Sequence, residues 1–302
     1  MEHVHLDIVG TLPTIPVRER TGHKGTYGTV LGISGCRGMA GAVALAGKAA
    51  LFGGAGLVRL AVPDPILETV AAFFPELTTI PCPADSAGRF APDSFETLKP
   101  QIENASTVFL GPGLGRSAEL NNLVKEIIGH ITCLNKFLVV DADGLNALAA
   151  EKVLPSENRD NSGIVLTPHA GEFFRLTGKP APDEELIDER IAAAVQFAKQ
   201  WNVVLVLKGH RTITTDGKQV ALNTTGNPGM ATGGSGDVLT GLIAGLLAQQ
   251  CFSAFDAARL GVHIHGLAGD LGAEHFGEMS LTATGILEHI PAAVKHFCLE
   301  RF

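Results

Sequence analysis

The sequence predicts an α/β fold in which a mainly parallel sheet lies between two layers of helices. Short strand-like runs alternate with helical runs along most of the 302 residues, and this alternation is typical of parallel βαβ units. The strand-like runs are apolar throughout instead of alternating with polar residues, as a sheet covered on both faces requires. Apolar residues make up 45% of the chain, and no linker or internal repeat interrupts it. We therefore predict one domain over residues 1–302.

The first part of the chain supplies the predicted parallel strands and the helices between them. One helix, Ala40–Phe52, consists mostly of small residues, which suit either the core or a contact between subunits. The other predicted elements are strands at Thr29–Ser34, Leu57–Val62, Leu77–Pro81, Thr107–Leu110, Phe137–Asp141 and Ile164–Thr167, helices at Ile66–Phe74 and Ala118–Gly129, and a polar loop at Pro155–Asn161.

The pattern changes after Trp201, where three strand-like runs follow one another closely. Asp216-Gly217 between the last two is a hairpin signal, so we predict antiparallel strands near the C-terminal half of the sheet. The predicted elements here are strands at Val203–Leu207, Thr212–Thr215 and Gln219–Leu222, followed by helices at Gly236–Gln249, Ala254–Leu271 and Leu281–Cys298.

Charge and composition exclude several classes of partner. The chain has 23 Lys and Arg against 31 Asp and Glu, a net charge of −8, and it has no long basic run, so we expect no nucleic acid and no membrane partner. No apolar run approaches the roughly 20 residues of a membrane span. The N-terminus lacks a signal-peptide pattern, and the five cysteines form no CxxC pair. We therefore expect free thiols in the cytoplasm.

The strongest motif is Asn223–Asp237, which holds five glycines and leads directly into a predicted helix. Such a loop presents backbone N–H groups beside the positive end of the helix dipole and favours an anion. Asp237 in the first turn is then placed as a general base for a hydroxyl beside a phosphate. The alternative is an acidic residue that only complements the dipole. No Gly-Lys-Ser/Thr follows, so this is not a Walker A loop.

Two further segments are candidates for ligand contact. In Lys208-Gly209-His210-Arg211-Thr212, the two cationic side chains suit nucleotide phosphates, although a polar hairpin turn is an equal interpretation. The run Gly111-Pro112-Gly113-Leu114-Gly115 follows a strand, where α/β sheets bind ligands, but a lone glycine pattern is weak evidence.

Polar residues follow two more of the predicted strands. Asp141 and Asp143 suit Mg²⁺ held through waters, or they cap the next helix. His169 follows the next strand and precedes a helix start of small residues. A lone histidine is usually structural, and its place at a strand end favours a site. The other histidines lack a second ligand nearby, so we assign no zinc site.

Taken together, these segments resemble one family. The ordered set runs from Lys24-Gly25-Thr26-Tyr27-Gly28 through GPGLG, DADGLNAL, TPHAGEF and LKG to NPGMATGGSGDVLTG. It is similar to the ADP- or ATP-dependent NAD(P)H-hydrate dehydratases of the ribokinase-like superfamily. The resemblance implies a three-layer α/β/α ribokinase-like fold, with residues 1–23 as an N-terminal extension.

The resemblance also implies an activity, in which a nucleotide phosphorylates the ring hydroxyl of hydrated NADH or NADPH and phosphate then leaves. ADP or ATP and Mg²⁺ are the implied cofactors, with metal ligands unassigned. The implied partners are a separate NAD(P)H-hydrate epimerase and further copies of the chain in a homotetramer. The implied roles are base for Asp237, substrate binding for Ala42, Gly113 or Gly115, His169 and Asp237, nucleotide binding for Lys208, Gly209, His210, Arg211, Thr212 and Gly236, and an anion hole for Gly233, Gly234, Ser235 and Gly236.

Two other functions remain open on the sequence. One is a ribokinase-like kinase of a small vitamin alcohol, such as a thiazole or pyrimidine, which would share the glycine-rich loop and the aspartate. The other is a nucleotide-binding sensor without catalysis. The choices between ADP and ATP, and between NADH and NADPH hydrates, are also open.

Overall fold

One sheet of ten strands forms the centre of the molecule in a computed structural model that describes residues 7–151 and 163–299. The strand order across the sheet is β1-β10-β9-β8-β7-β6-β5-β2-β3-β4. The strands are β1 (Asp7–Ile8), β2 (Thr29–Ile33), β3 (Leu57–Pro63), β4 (Thr78–Cys82), β5 (Thr107–Leu110), β6 (Phe137–Val140), β7 (Ile164–Leu166), β8 (Val204–Leu207), β9 (Ile213–Thr215) and β10 (Gln219–Leu222).

Helices cover both faces of this sheet. They are α1 (Ala40–Phe52), α2 (Leu67–Ala71), α3 (Ser94–Asn104), α4 (Ala118–Cys133), α5 (Asp143–Glu151), α6 (Ala170–Thr177), α7 (Ile187–Trp201), α8 (Ser235–Ala248), α9 (Ala254–Phe276) and α10 (Ala283–Leu299). Short 3₁₀ turns precede α2, α8 and α10. None of the helices in the described ranges is long and apolar enough to cross a membrane.

The strand directions confirm the prediction of a mainly parallel sheet with antiparallel strands at one end. Strands β2 to β8 all run parallel to one another, whereas β9 is antiparallel to both β8 and β10. Asp216 stabilises the β9–β10 turn, because its carboxylate accepts hydrogen bonds from the N–H groups of Lys218 and Gln219. Gly217 adopts a φ of 87° there, which a glycine does at little cost.

The residues before β2 close one edge of the sheet. Strand β1 pairs in parallel with β10, and the backbone that follows is held by side chains from distant parts of the chain. Arg259 of α9 donates to the carbonyl of Thr11. Arg18 in turn donates to the carbonyl of Gly54. The N-terminal segment therefore contacts β10, α9 and the turn after α1.

The apolar core lies on both faces of the sheet, and α1 and α8 pack together on one of them. Every residue of α8 from Val238 to Ala248 is buried. A Cβ at Gly241 or Gly245 would overlap the carbonyl oxygens of Ala46 and Ala50 in α1. The small residues of α1 thus serve a close contact within the core.

Several elements differ from the prediction. The predicted helix at Ile66–Phe74 is a 3₁₀ turn followed by the five residues of α2, and α3 and α7 were not predicted. The polar loop predicted at Pro155–Asn161 lies outside the described residues. The strands β5, β6, β7 and β8 lie side by side and parallel, so the loops after them meet at one edge.

Candidate active site

The loops after four neighbouring strands bring the predicted motifs together at the carboxyl edge of the sheet. The Gly111–Gly115 loop follows β5, Asp141 follows β6, His169 follows β7 after two residues, and Lys208 directly follows β8. The first turn of α8 reaches the same edge, because Gly236 lies against both Lys208 and Asp141. This is the edge at which open α/β sheets bind ligands.

The glycine-rich loop enters α8 through a left-handed residue. Gly234 caps the helix with a φ of 90°. The N–H groups of Gly236 and Asp237 have no acceptor among the described residues, as is usual in a first turn, whereas the N–H of Ser235 donates to the carbonyl of Thr232 at 3.4 Å. A Cβ at Gly236 would lie 3.3 Å from Lys208 Nζ and 3.5 Å from Asp141 Oδ2. These two side chains form an ion pair, and the turn lies directly above it. Unpaired N–H groups and the helix dipole make this turn suited to an anion.

A buried histidine, which the sequence reasoning missed, supports this turn from behind. His265 of α9 is 8% exposed, and its Nε2 lies 3.4 Å from Ser235 Oγ. Burial lowers the pKa of His265 to about 4, so the ring is neutral near pH 7. It therefore meets the helix start as a neutral hydrogen-bonding group.

Asp237 lies half-buried in the first turn of α8, and its carboxyl is poised to titrate near neutrality. Burial raises its pKa to about 7, with further raising contributions from Asp141, Asp143 and Glu172. The ammonium of Lys208 acts in the opposite direction. A carboxylate with a pKa near the working pH has the property required of a general base.

The charges beneath the turn form a buried network. Asp141 is 1% exposed, and its two oxygens accept hydrogen bonds from Lys208 Nζ at 2.8 Å and Thr240 Oγ1 at 2.7 Å. Lys208 Nζ also lies 3.9 Å from Glu172 Oε2. Burial opposes the charge on Lys208, but the two carboxylates outweigh burial and raise its pKa. Its ammonium therefore lies between two acids, and its contact with nucleotide phosphates stays a prediction.

The two candidate glycines in the loop after β5, Gly113 and Gly115, have different surroundings. Both have positive φ angles, 65° at Gly113 and 78° at Gly115. A Cβ at Gly113 would come within 3.1 Å of the Ala42 side chain and 2.9 Å of that of Met39. A Cβ at Gly115 would meet Arg89 instead. Gly113 therefore shares its surroundings with Ala42, the other small residue predicted to contact the substrate.

Asp143 fixes this loop in place. It is the first residue of α5, and its carboxylate accepts hydrogen bonds from Gly115 N at 2.9 Å and Arg116 Nε at 3.1 Å. Asp143 and Asp141 therefore both have partners within the protein. Across residues 7–151 and 163–299, no group of three or more His, Cys, Asp and Glu side chains is arranged to hold a metal ion.

His169 caps α6 and faces solvent. The ring Nδ1 of His169 accepts a hydrogen bond from Gly171 N at 3.0 Å. The backbone N–H of His169 donates to Glu172 Oε2 at 2.9 Å, which completes a capping box. Its Nε2 lies 3.4 Å from Glu172 Oε1. Glu172 thus connects His169 to Lys208, and the three-residue spacing from the cap is the signal that could have identified this acid.

The loop after β8 is held in shape by its own residues. Thr212 Oγ1 donates to the carbonyl of Gly209 at 3.0 Å. Arg211 is exposed and has a φ of 56°, an uncommon conformation for a residue other than glycine. The exposed guanidinium of Arg211 agrees with the predicted role in phosphate contact, which remains untested.

Two residues that the sequence reasoning missed support the same loop from α7 and the segment before it. The N–H of His210 donates to the carboxylate of Glu184 at 3.2 Å. The buried Arg190 donates to the carbonyl of Lys208 at 3.0 Å and lies 3.6 Å from Glu184. No motif marks these residues; an arginine on the apolar face of α7 was the only available signal.

Comparison with known proteins adds independent information. A model of the NAD(P)H-hydrate dehydratase family matches residues 30–292. The bifunctional NAD(P)H-hydrate repair enzyme Nnr of Moorella thermoacetica is 42% identical over 285 residues, which cover 93% of this chain and 52% of that protein. The chain thus spans about half the length of the curated relatives it matches.

Solved structures agree with this comparison. The ADP/ATP-dependent NAD(P)H-hydrate dehydratase of Bacillus subtilis, co-crystallised with ATP and Mg²⁺, is 30% identical with a TM-score of 0.77, and the match covers 94% of this chain and 95% of that one. A ribokinase-like superfamily protein of Enterococcus faecalis is 27% identical with a TM-score of 0.79, over 94% and 92% of the two chains. The predicted ribokinase-like architecture is confirmed.

Proposed function

The chain belongs to the NAD(P)H-hydrate dehydratase family, and on that premise we propose that it dehydrates hydrated NADH and NADPH with ADP or ATP as phosphoryl donor. One observation carries the proposal: Asp237, with a pKa raised to about 7, lies in the helix turn that also presents the anion-binding N–H groups. A base for a hydroxyl and a site for the transferring phosphoryl group are thereby side by side.

The reaction has two steps in this proposal. Asp237 takes the proton of the ring hydroxyl, and the oxygen attacks the terminal phosphorus, so that a new P–O bond forms as ADP leaves from ATP, or AMP from ADP. The C–O bond then breaks, its electron pair leaves with inorganic phosphate, and the neighbouring ring carbon loses a proton. The ring double bond of the dihydronicotinamide is thereby restored.

The residues around Asp237 have complementary roles. The N–H groups of Gly233–Gly236 stabilise charge on the transferring group, because they are already oriented before the reaction. Ala42 and Gly113 leave room for the hydrated ring, and His169 lies at the solvent side of the same edge. The loop Lys208–Thr212 receives the nucleotide, with Gly236 beneath its terminal phosphate.

Mg²⁺ fits this site only together with the nucleotide. Asp141 and Asp143 are held by protein donors, and Mg²⁺ commonly keeps several waters and binds through phosphates. When bound, the ion would neutralise phosphate charge. No residue of this chain is assigned as its ligand.

The kinase of a small vitamin alcohol is the second candidate, because it would use the same loop and base. It differs in outcome, since its phosphorylated product would persist. Family membership favours the dehydratase, and the persistence of an organic phosphate distinguishes the two.

The direct test is an assay of purified protein with hydrated NADH or NADPH and either ADP or ATP. We expect dihydronicotinamide absorbance to return with one inorganic phosphate released per turnover. Absence of both signals with either nucleotide would contradict the proposal. A sensor would bind the nucleotide without turnover.

Asp237→Asn tests the assigned base. We expect kcat to fall by about 10²–10⁴-fold, while ADP affinity, measured by calorimetry, is retained. Asp188→Asn is the matched control, because Asp188 is an exposed acid in the first turn of α7. A wild-type rate in Asp237→Asn would remove the base assignment.

We also propose the setting of this activity. The chain works in the cytoplasm as a homotetramer, alongside an epimerase that interconverts the two forms of the hydrate. Mass measurement of the native protein in solution tests the assembly.

A further inference from the structure

Buried polar side chains lie beneath the first turn of α8, and the proposed reaction gives two of them, Asp141 and Thr240, no role. Asp141 accepts hydrogen bonds from Thr240 at 2.7 Å and from Lys208 at 2.8 Å, one on each carboxylate oxygen. Thr240 is fully buried and Asp141 is 1% exposed. A buried carboxylate is costly unless its oxygens are paired, so the arrangement has a definite geometry.

This line joins three elements that each carry part of the site. Asp141 follows β6, Lys208 follows β8, and Thr240 lies on α8 three residues after Asp237. Residues three apart lie on one face of a helix, so the Thr240 bond fixes the helix near Asp237. A Cβ at Gly236 would lie 3.3 Å from Lys208 Nζ, so the ammonium lies against the first turn of α8.

We propose that Asp141 is a positioning residue for phosphoryl transfer, which holds the ammonium of Lys208 beneath Gly236 and, through Thr240, ties it to the helix that carries Asp237. The inference rests on the proposed function. A lysine ammonium on its flexible stem is a mobile point charge, and a charge stabilises a transferring group best when it is already in place. Glu172 at 3.9 Å is the more distant of the two acids facing Lys208.

Removing the charge of Asp141 has two separate effects, one on the pKa of Asp237 and one on the position of Lys208. The groups that act on its carboxyl are Asp141 after β6, Asp143 of α5, Glu172 of α6 and Lys208 after β8. After burial, Asp141 is the strongest cause that raises the pKa of Asp237. Loss of its charge therefore makes Asp237 a carboxylate at lower pH, even though the rate falls because Lys208 is no longer held.

The first test is Thr240→Val, which removes one hydroxyl and keeps the side-chain shape. We expect kcat to fall by about 10–100-fold, the scale for a displaced catalytic geometry, with KM for ADP little changed, and Thr240→Ser to restore most of the rate. Thr107→Val is the matched control, because the buried Thr107 Oγ1 has no hydrogen-bond partner in the described part of the chain. Equal kcat in Thr240→Val and Thr107→Val would overturn the proposal.

The second test is Asp141→Asn, read by the titration of the Asp237 carboxyl carbon in NMR spectra of the free enzyme. We expect the midpoint to move below the wild-type value, and kcat to fall by about 100-fold. An unchanged midpoint together with an unchanged rate would overturn the inference. The titration needs no hydrate, so failure of the proposed function is recognised separately, by a wild-type protein that turns over no hydrate.

Discussion

At the residue scale, the proposed base Asp237 would have to be ionised to accept a proton, although its surroundings favour the neutral carboxyl. Burial and Asp141 raise its pKa from 3.8 to about 7, against the attraction of Lys208. The folded protein therefore binds this proton more tightly than the unfolded chain does. Stability from this residue is fully present below pH 3.8 and is lost as the pH rises through about 7.

Asp237→Asn should therefore stabilise the protein while it removes activity, because asparagine is always neutral. We expect the gain in melting temperature over the wild type to be larger at about pH 8 than at about pH 5. Asp188→Asn, at an exposed site, should show no such change with pH. The same gain at both pH values would mean that the Asp237 carboxyl is not perturbed. A loss of stability at a proposed catalytic group agrees with a common compromise in enzymes.

At the element scale, the contact between α1 and α8 fixes where the first turn of α8 lies. A Cβ at Gly245 would overlap the carbonyl oxygen of Ala50, so the two backbones could not approach as closely. Gly245→Ala should reduce the free energy of unfolding by about 1–3 kcal/mol, as overpacking does. Chemical denaturation measures this change.

Gly129→Ala is the matched control for that substitution. Gly129 is also helical, in α4, but a Cβ there would meet nothing within 4 Å. Alanine should then stabilise the protein by about 0.5–1 kcal/mol through its better helix propensity. If both variants changed stability in the same direction, the close contact of α1 with α8 would not be the cause.

The elements that the sequence predicted well are those with strong local patterns. Strands β5 and β10 and helix α1 have the predicted limits, because continuous apolar runs and Gly-rich ends mark them. Helix α3 was missed because Pro100 lies inside it, and proline ordinarily ends a helix. Helix α7 has an apolar spacing in the sequence but no glycine signal as strong as those of α1. Strand β1 depends on its pairing with β10, which a two-residue run does not reveal.

The candidate site is predictable from the sequence as a set of motifs but not as a network of side-chain contacts. Asp237, the glycine turn and the strand-end residues are visible as local patterns. Thr240 and His265 are not, because their partners Asp141 and Ser235 are 99 and 30 residues away. A polar residue within an otherwise apolar helix indicates that a buried polar partner exists, but the sequence does not show which residue that partner is.

At the scale of the whole molecule, the site joins the two apolar layers that the sheet separates. Helix α8 belongs to one layer, whereas α5 and α6 lie with the other. Asp141 and Glu172 connect both layers to Lys208. The net charge of −8 disfavours a polyanion at long range, so affinity for a nucleotide must come from N–H groups and cations within the site.

Nucleotide binding should therefore stabilise the entire fold and should depend on phosphate. At about 100 times its Kd, ADP should raise the melting temperature by about 5 °C, in one transition, because its contacts span both layers. Adenosine, which lacks phosphates, should give a much smaller shift at the same concentration. Asp237→Asn should keep the ADP shift, since the proposed base would contribute to transfer and not to nucleotide affinity. Equal shifts with ADP and adenosine would show that the helix turn is not the phosphate site.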